Sequence, residues 1–456
     1  MLRDTDFTAT ALAERLGRGD LSAREVTNAS LDRIKARDGE IGAWTFLDPA
    51  YAQRQADEAD ARRADGKPLG PLCGVPVGIK DIFDTGDMPT GNGSVIHAER
   101  RPARDATTVS LLRQAGAVIL GKTVTTEFAL YSPGKTRNPH NPAHTPGGSS
   151  SGSAAAVAAG MVPVALGSQT NGSVIRPASF CGVVGYKPSH GLISRTGVLM
   201  LSRRLDHVGV FGRTVEDVAL VTDALTAYDP KDEDMRPAAR PNLLRTAREE
   251  PPLEPRFAFV KTPAWRFAEP DTAETFAKLS ASLGGRIFEA SLPSLFDHAL
   301  DAHKMIMSVD VAHNLSQDYR AGAAQMSARL RDVIALGRRL SAQEYLRACA
   351  LTPYLELLLD GIFDECSAIL TPAAPGEAPK GLEATGNPAF ATLWTLCGLP
   401  AISLPLLQGK NGLPIGVQLV GRKGDDARLL RTARWLARYV AEIDAPTPVK
   451  KSRKKK

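Results

Sequence analysis

The sequence predicts an α/β protein with a large mixed β-sheet at its core and helices covering both faces of that sheet. Two observations support this fold class. Short, continuous apolar runs alternate with helical patterns along most of the chain, as expected of strands that are buried on both faces. The composition, with 43% hydrophobic and 23% charged residues, is typical of a globular protein.

The N-terminal elements establish this alternation. Ser22 and Glu25 have the spacing of a capping box, and apolar residues follow them at helical spacing. A second helix, rich in alanine and charged residues, is predicted at 50–64. The apolar run at 75–79 then predicts a short strand that ends at Lys80.

The alternation continues to the end of the chain. The further predicted elements are a helix at 107–115, strands at 117–120 and 162–166, a helix at 214–224, a linker rich in proline and charge at 229–256, a mostly helical segment at 270–366, strands at 369–370, 401–407 and 416–420, and a helix at 425–440. Because the last strands resemble those of the first half, we expect them to complete the same sheet. We therefore predict a single domain over residues 1–449, with a more variable helical insertion at about 229–366.

The charge distribution points to a soluble, cytoplasmic protein with a basic tail. The net charge is +6, and residues 450–456 contain six lysines and arginines, so the rest of the chain is close to neutral. We interpret 450–456 as a disordered, solvated tail, and this argues against a nucleic-acid-binding surface. No apolar stretch is long enough to cross a membrane, and no signal peptide is recognisable. The sequence leaves open whether the chain forms a homodimer.

The cysteines and histidines predict neither a disulfide framework nor a metal site. The five cysteines are widely spaced and odd in number, which favours reduced thiols. His140 and His144 are four residues apart, but the prolines around them exclude the helix that would align the two rings. We expect no metal ion and no organic cofactor.

Two small-residue runs are the most informative feature of the sequence. From 147 to 160, every residue except Val157 is glycine, serine or alanine, and a second run covers 167–173. Such runs bury little side-chain surface, but they offer hydroxyl groups, close backbone approach and N–H groups at a turn or helix start. A serine nucleophile with an oxyanion pocket needs these features.

Three hypotheses follow from these runs and from the tail. Residues 148–152 match the G-x-S-x-G motif of α/β-hydrolases, but the proline-rich segment 138–146 stands where that motif needs a strand. The basic tail suggests a non-enzymatic or tRNA-linked role. The third hypothesis is a serine amidase in which a lysine replaces histidine as the base.

Five stretches of the sequence resemble the amidase signature family. They are 77–84, 147–182, 185–189, 206–207 and 411–418. The resemblance extends over residues 7–440. Within the family, malonamidase-type enzymes are the most similar, by the serines at 149–151, Gln169, the order Val-Ile-Arg-Pro at 174–177, and the segments 385–388 and 393–396.

The resemblance implies an amide hydrolase that works through an acyl-enzyme intermediate. It implies Ser173 as the nucleophile, Ser149 on a cis peptide as a bridging serine, and Lys80 as the base. A lysine must be neutral to accept a proton, and burial at the end of a strand lowers its pKa. The backbone N–H groups expected to form the oxyanion hole are those of Thr170, Asn171, Gly172 and Ser173.

Arg176 has two interpretations. In malonamidase-like sequences the matching arginine is taken to bind a substrate carboxylate, for which a planar guanidinium is suited. Alternatively, an arginine beside a glycine-rich loop can bind backbone carbonyls and hold the loop. Gln169 and Asn171 stand where much of the family has aspartate and glycine, so the hydrogen bonding around the nucleophile stays an open question.

The implied partner is a small-molecule amide, whose linear C–N bond is cleaved with release of ammonia or an amine. Two alternatives on the same fold stay open. One is the glutaminase-type subunit of a tRNA-dependent amidotransferase, which needs partner chains. The other is a hydrolase of carbamates or esters, since the same acyl chemistry serves both.

Overall fold

The computed structural model describes residues 7–444 and contains one mixed sheet of eleven strands. The strands are β1 (Trp44–Leu47), β2 (Pro76–Lys80), β3 (Val118–Thr123), β4 (Val164–Gln169), β5 (Val184–Lys187), β6 (His207–Gly212), β7 (Phe257–Val260), β8 (Ile287–Ala290), β9 (Ala368–Pro372), β10 (Ala401–Gln408) and β11 (Pro414–Val420). Their order across the sheet is β1-β3-β2-β4-β6-β5-β10-β11-β9-β7-β8. Strands from both halves of the chain thus join the same sheet.

Helices flank this sheet, as predicted. They are α1 (Ala9–Arg18), α2 (Ala23–Ile41), α3 (Pro49–Ala64), α4 (Thr107–Gln114), α5 (Ser151–Ala158), α6 (Ile175–Cys181), α7 (Val215–Leu225), α8 (Leu243–Arg248), α9 (Pro270–Leu283), α10 (Ala299–Asn314), α11 (Ser316–Gly322), α12 (Ala328–Arg339), α13 (Ala342–Phe363), α14 (Ala389–Leu396) and α15 (Asp426–Asp444). The capping box at Ser22 and Glu25 is present at the start of α2. The α/β fold class is confirmed.

The central strands position the glycine- and serine-rich segments. β2 pairs in parallel with β3 on one side and with β4 on the other, and Ile79 lies opposite Leu166. The carboxyl ends of parallel neighbours meet at one edge of a sheet, so Lys80 at the end of β2 and Ser168 near the end of β4 come together. The second small-residue run leaves the sheet at this edge.

Two parts of the sequence prediction were wrong. The predicted linker at 229–256 contains the helix Leu243–Arg248, and the region at 229–366 contains β7 and β8, which extend one edge of the sheet. The prediction also missed β1, β5 and β6. Of the five strands that it missed, all but β6 have only four residues, the lower limit at which an alternation can be recognised. The predicted tail at 450–456 lies outside the described residues.

Candidate active site

Lys80 ends β2 with its side chain fully buried. Its Nζ donates hydrogen bonds to Ser149 Oγ at 2.7 Å and to Ser168 Oγ at 2.8 Å. Burial holds the pKa of Lys80 well below its usual value, although the charge of Asp206 acts in the opposite direction. The side chain is therefore a poorly solvated amine between two hydroxyl groups, the state in which a lysine can accept a proton.

The serine run places Ser149 against this lysine. The peptide bond between Gly148 and Ser149 is cis, and α5 begins two residues later at Ser151. The next serines hold α5 against β4, because Ser150 Oγ donates to Ser168 O at 3.2 Å and Ser153 Oγ donates to Leu166 O at 2.8 Å. Of the serines at 149–151, only Ser149 contacts the lysine amine.

The second run forms a turn between β4 and α6 and ends at Ser173. Within residues 7–444, the backbone N–H groups of Asn171, Gly172 and Ser173 donate no hydrogen bond, and the Ser173 hydroxyl has no hydrogen-bond partner. Ser173 lines a small cavity with Thr170, Asn171, Gly172 and Arg176. A hydroxyl beside several free N–H donors in a cavity is the arrangement that stabilises an oxyanion.

Gln169, at the position where the resemblance leads us to expect aspartate, forms hydrogen bonds through both the oxygen and the nitrogen of its amide. Its Oε1 accepts from Val174 N at 2.8 Å and from Ile175 N at 3.0 Å, so it binds two N–H groups at the start of α6. Its Nε2 donates to Thr395 Oγ1 at 2.9 Å, and that hydroxyl donates to Asn171 O at 2.6 Å. The Gln169 side chain thus fixes the turn that precedes α6, and Thr395 on α14 fixes the same turn through the Asn171 carbonyl.

Asp206 anchors the first residue of the turn. Its Oδ1 accepts from Thr170 Oγ1 at 2.6 Å, and its Oδ2 accepts from the N–H groups of Leu201 and Ser202. Burial raises the pKa of Asp206 to about 6. The imidazole of His303, on α10, bonds the Thr170 carbonyl at 2.9 Å. The turn is therefore fixed from both sides before any substrate binds.

Arg176 holds the serine run through one end of its guanidinium, as the second interpretation of the sequence predicts. Its Nη2 donates to Gly148 O at 2.6 Å and to Thr385 Oγ1 at 3.0 Å, which pins the peptide preceding Ser149. Its Nε and Nη1 are buried and have no partner among the described residues. Burial lowers the pKa of Arg176 to about 10. Nη2 thus has a structural role. Arg176 also lines the Ser173 cavity, and its Nε and Nη1 are unpaired among the described residues.

The outer wall of the Ser173 cavity comes from distant segments. Tyr131 and Met307 line it, and the Tyr131 hydroxyl lies 4.0 Å from Met307 Sδ. The loop before Tyr131 has two non-glycine residues in the left-handed region, Phe128 at φ 45° and Ala129 at φ 55°. This conformation is costly for residues with a Cβ, and Phe128 N donates to Asn92 O at 2.8 Å to hold it.

The structure brings most of the predicted site residues together. Lys80 and Ser149 are hydrogen-bonded, and Ser173 and Arg176 share a cavity with the turn. No hydrogen bond joins Ser149 to Ser173 in the part of the chain that the structure describes. Such contacts are often long before substrate binds.

Sequence reasoning missed several contributors. Ser168 could have been found, because it lies at the carboxyl end of the strand beside β2. No local pattern indicated Tyr131, His303 or Met307, which reach the site only through tertiary packing. Within the described range, no three His, Cys, Asp or Glu side chains converge as metal ligands do, and no helix is long and apolar enough to span a membrane.

Comparison with known proteins identifies the family. The family model described as Amidase matches residues 25–430. The A subunit of glutamyl-tRNA(Gln) amidotransferase from Anaeromyxobacter sp. (strain K) is 37% identical over 472 residues, covering 93% of this chain and 94% of that protein. Its counterpart from Moorella thermoacetica is 35% identical and covers 94% of this chain and 95% of its own. These relatives support the family but do not single out its malonamidase-type members.

Solved structures agree with the sequence comparison. A structure described as a vestigial protein complex that reveals the evolutionary origins of an s-triazine catabolic enzyme matches with a TM-score of 0.88 and 29% identity, covering 96% of this chain and 98% of that one. Peptide amidase from Stenotrophomonas maltophilia matches with a TM-score of 0.83 and 27% identity, covering 98% and 99% of the two chains. The fold and the site thus define an enzyme that hydrolyses amide C–N bonds. The chain belongs to the amidase signature family.

Proposed function

We propose that this chain hydrolyses small linear amides through an acyl-enzyme, with Ser173 as nucleophile, Ser149 as proton relay and Lys80 as base. The observation that carries the proposal is the hydrogen bond of 2.7 Å between Lys80 Nζ and Ser149 Oγ, in a site where burial holds the pKa of that lysine far below its usual value. Burial favours the neutral form of this amine, and a neutral amine beside a serine hydroxyl is able to take its proton.

The proposed reaction has two halves. Ser173 Oγ attacks the amide carbon and its proton passes through Ser149 to Lys80, while the N–H groups of the turn receive the developing oxyanion. Ser149 then returns a proton to the leaving nitrogen, which departs as ammonia or an amine. Water attacks the remaining ester by the same route in reverse, and the acid is released. Each step uses only groups of this chain and water.

The Ser173→Ala variant tests the proposal. Hydrolysis should fall by at least about 10⁴-fold with the melting temperature unchanged, because the nucleophile is lost and the packing is kept. Ser150→Ala is the matched control, since Ser150 bonds the backbone of β4 and not the lysine. Mass spectrometry of wild-type enzyme quenched during turnover should show an acyl adduct on Ser173. Substantial activity in Ser173→Ala would place the nucleophile elsewhere.

The unpaired half of Arg176 indicates the substrate class. A buried guanidinium with two free donors favours an anionic ligand, and a carboxylate matches its planar geometry. We therefore propose that the preferred substrate is an amide that also bears a carboxylate, as in malonamidase-type enzymes. Purified protein should be assayed against short amide acids, neutral amides of equal size, aryl amides, carbamates and esters. A preference for neutral aryl amides or for carbamates would reject this substrate class.

A second candidate function is supported by the relatives. The A subunits of glutamyl-tRNA(Gln) amidotransferase are up to 37% identical over nearly the whole chain. In that role the chain would release ammonia from glutamine, which is itself an amide acid, so kinetics on amide acids would not separate the two functions. Co-purification of the untagged partner chains from the native source separates them. Full activity of the isolated chain would favour the free amidase.

A further inference from the structure

The hydroxyl of Tyr131 lies among the residues that form the wall of the Ser173 cavity. Tyr131 lines this cavity together with Asn171, Arg176 and Met307. Within residues 7–444 the hydroxyl has two polar partners, which are the side-chain amide of Asn171 and, at 4.0 Å, the sulfur of Met307. Both partners belong to the same wall, so the hydroxyl lies where a molecule bound at Ser173 would pass.

Asn171 sets the direction of its hydrogen bond with Tyr131. Thr392 Oγ1 donates to Asn171 Oδ1 at 2.6 Å, because an amide oxygen can only accept. The N–H donors of the amide are left for the tyrosine, whose oxygen therefore accepts. Burial raises the pKa of Tyr131, and the charge of Arg176 and the Asn171 hydrogen bond both oppose this rise. A bond donated to the tyrosine oxygen has this effect.

Tyr131 and Arg176 thus bring free donors to one cavity. The hydroxyl hydrogen of Tyr131 has only the Met307 sulfur, a weak acceptor at 4.0 Å, among the described residues. Arg176 Nε and Nη1 are buried without a partner, and Arg176 forms no ion pair in the described range. None of the residues that line the cavity is acidic. A carboxylate has two oxygens and a negative charge, and it can accept from both groups at once.

We propose that Tyr131 is a specificity residue, whose hydroxyl donates to the substrate carboxylate that Arg176 binds, and that Asn171 positions this hydroxyl. The inference rests on the proposed function, because it takes an amide acid as the substrate. The scissile carbonyl then lies at Ser173, and the carboxylate lies between Arg176 and Tyr131. Glycine, which the resemblance leads us to expect at position 171, has no side chain to hold the tyrosine.

The variant Tyr131→Phe removes the hydroxyl and keeps the ring. We expect KM for short amide acids to rise about tenfold with kcat little changed, and KM for neutral amides of the same length to change less than about twofold. Met307→Leu is the matched control, because it alters the same wall without removing a donor and should affect both classes of amide alike. Equal effects of Tyr131→Phe on the two classes, or no effect on either, would overturn the role of Tyr131.

The variant Asn171→Ala tests the positioning role. It keeps the backbone N–H of the turn and removes the amide that holds Tyr131. We expect KM for amide acids to rise about fivefold in the wild type and not to rise further in Tyr131→Phe, because Asn171 acts through the tyrosine hydroxyl. A further rise in the Tyr131→Phe background would show that Asn171 acts on the turn itself, and its positioning role would be wrong.

Binding to the Ser173→Ala protein separates this inference from the proposed function. Calorimetry with malonate, a short dicarboxylate, should give a Kd about tenfold higher when Tyr131→Phe is added. Equal affinity, or no binding of malonate to either protein, overturns the inference. Failure of the proposed function would appear differently, as hydrolysis retained in Ser173→Ala.

Discussion

Two fully buried lysines lie on adjacent parallel strands, and their surroundings differ sharply. Lys122 on β3 lies opposite Ile79, one residue before Lys80 on β2. Lys122 Nζ lies 3.2 Å from a carboxylate oxygen of Asp81 and within 3.4 Å of four further oxygens, which share its three N–H donors: Phe83 O, Thr85 Oγ1, Pro89 O and Thr90 Oγ1. Lys80 Nζ contacts two serine hydroxyls and forms no ion pair within residues 7–444.

This difference shows how two equally buried lysines can have different protonation behaviour. Burial lowers the pKa of Lys122 only to about 8, because Asp81 favours its charged form. Burial also holds the pKa of Lys80 well below its usual value, and the charge of Asp206, which forms no ion pair with Lys80 among residues 7–444, opposes this only in part. Lys122 is thus a paired cation that holds the loop after β2, and Lys80 is an uncompensated amine available for proton transfer.

Within this comparison the largest expected effect comes from Lys80→Met, which replaces the amine by an unbranched apolar side chain that is slightly shorter. We expect kcat to fall by at least about 10³-fold, since the base is lost. The melting temperature at neutral pH should stay equal or rise, because a poorly solvated amine is replaced by an apolar group. Steady-state kinetics and thermal denaturation of the same preparation measure both. A large loss of stability would show that Lys80, like Lys122, is mainly structural.

Lys122→Met should show the opposite pattern. Removing the cation leaves the buried Asp81 carboxylate unpaired, and this should lower the free energy of unfolding by about 3 kcal/mol. Protein that remains folded should keep kcat within a few-fold, because Lys122 contacts no catalytic group. Urea denaturation and active-site-normalised kinetics provide the test. Loss of kcat without loss of stability would remove the distinction between the two lysines.

Arg176 is another buried basic residue, intermediate between the two lysines because only its Nη2 is paired among the described residues. We expect Arg176→Gln to raise KM for amide acids by about thirtyfold, equivalent to about 2 kcal/mol for a buried carboxylate left without its partner. Neutral amides of similar size should be affected much less. Thr385→Val is the control, since it removes only a structural partner of Nη2. Equal losses on charged and neutral amides would assign Arg176 to loop structure alone.

The smallest expected effect is the pH dependence of the free energy of unfolding that is due to Lys80 alone. Its pKa is lower in the folded than in the unfolded chain, so the unfolded state binds more protons between the folded pKa and 10.5. Stability therefore rises with pH in this window by about 1.4 kcal/mol per pH unit for one proton. Lys80→Met should lack this slope, and its advantage over the wild type should grow as pH falls. Parallel slopes in the two proteins would contradict a depressed lysine pKa.

The same titration should appear in the activity. Because only the neutral amine can accept a proton, kcat should fall on the acid side as Lys80 becomes charged. The pH at the midpoint of that fall should equal the folded-state pKa of Lys80, which is the lower end of the pH range over which the free energy of unfolding of the wild type rises. A kcat that stays constant down to the pH at which the protein unfolds would point to a different base.

The sequence determined the α/β class and six of the eleven strands, because an apolar run between turn signals predicts a strand from local sequence. The small-residue runs indicated a nucleophile turn, and the resemblance to the amidase signature family supplied Lys80, Ser149 and Ser173 as candidates. The strands β1, β5, β6, β7 and β8 escaped; all but β6 have only four residues, the lower limit at which an alternation can be recognised.

Only the tertiary structure decided which buried groups are paired. Lys80 and Lys122 have the same residue type, burial and kind of strand, yet their partners come from segments that the sequence does not place beside them. The same holds for Arg176, whose paired donors depend on the positions of Gly148 and Thr385. The reason is physical: local sequence sets the backbone conformation, whereas protonation and polarity depend on every atom within a few ångströms, whatever its place in the chain.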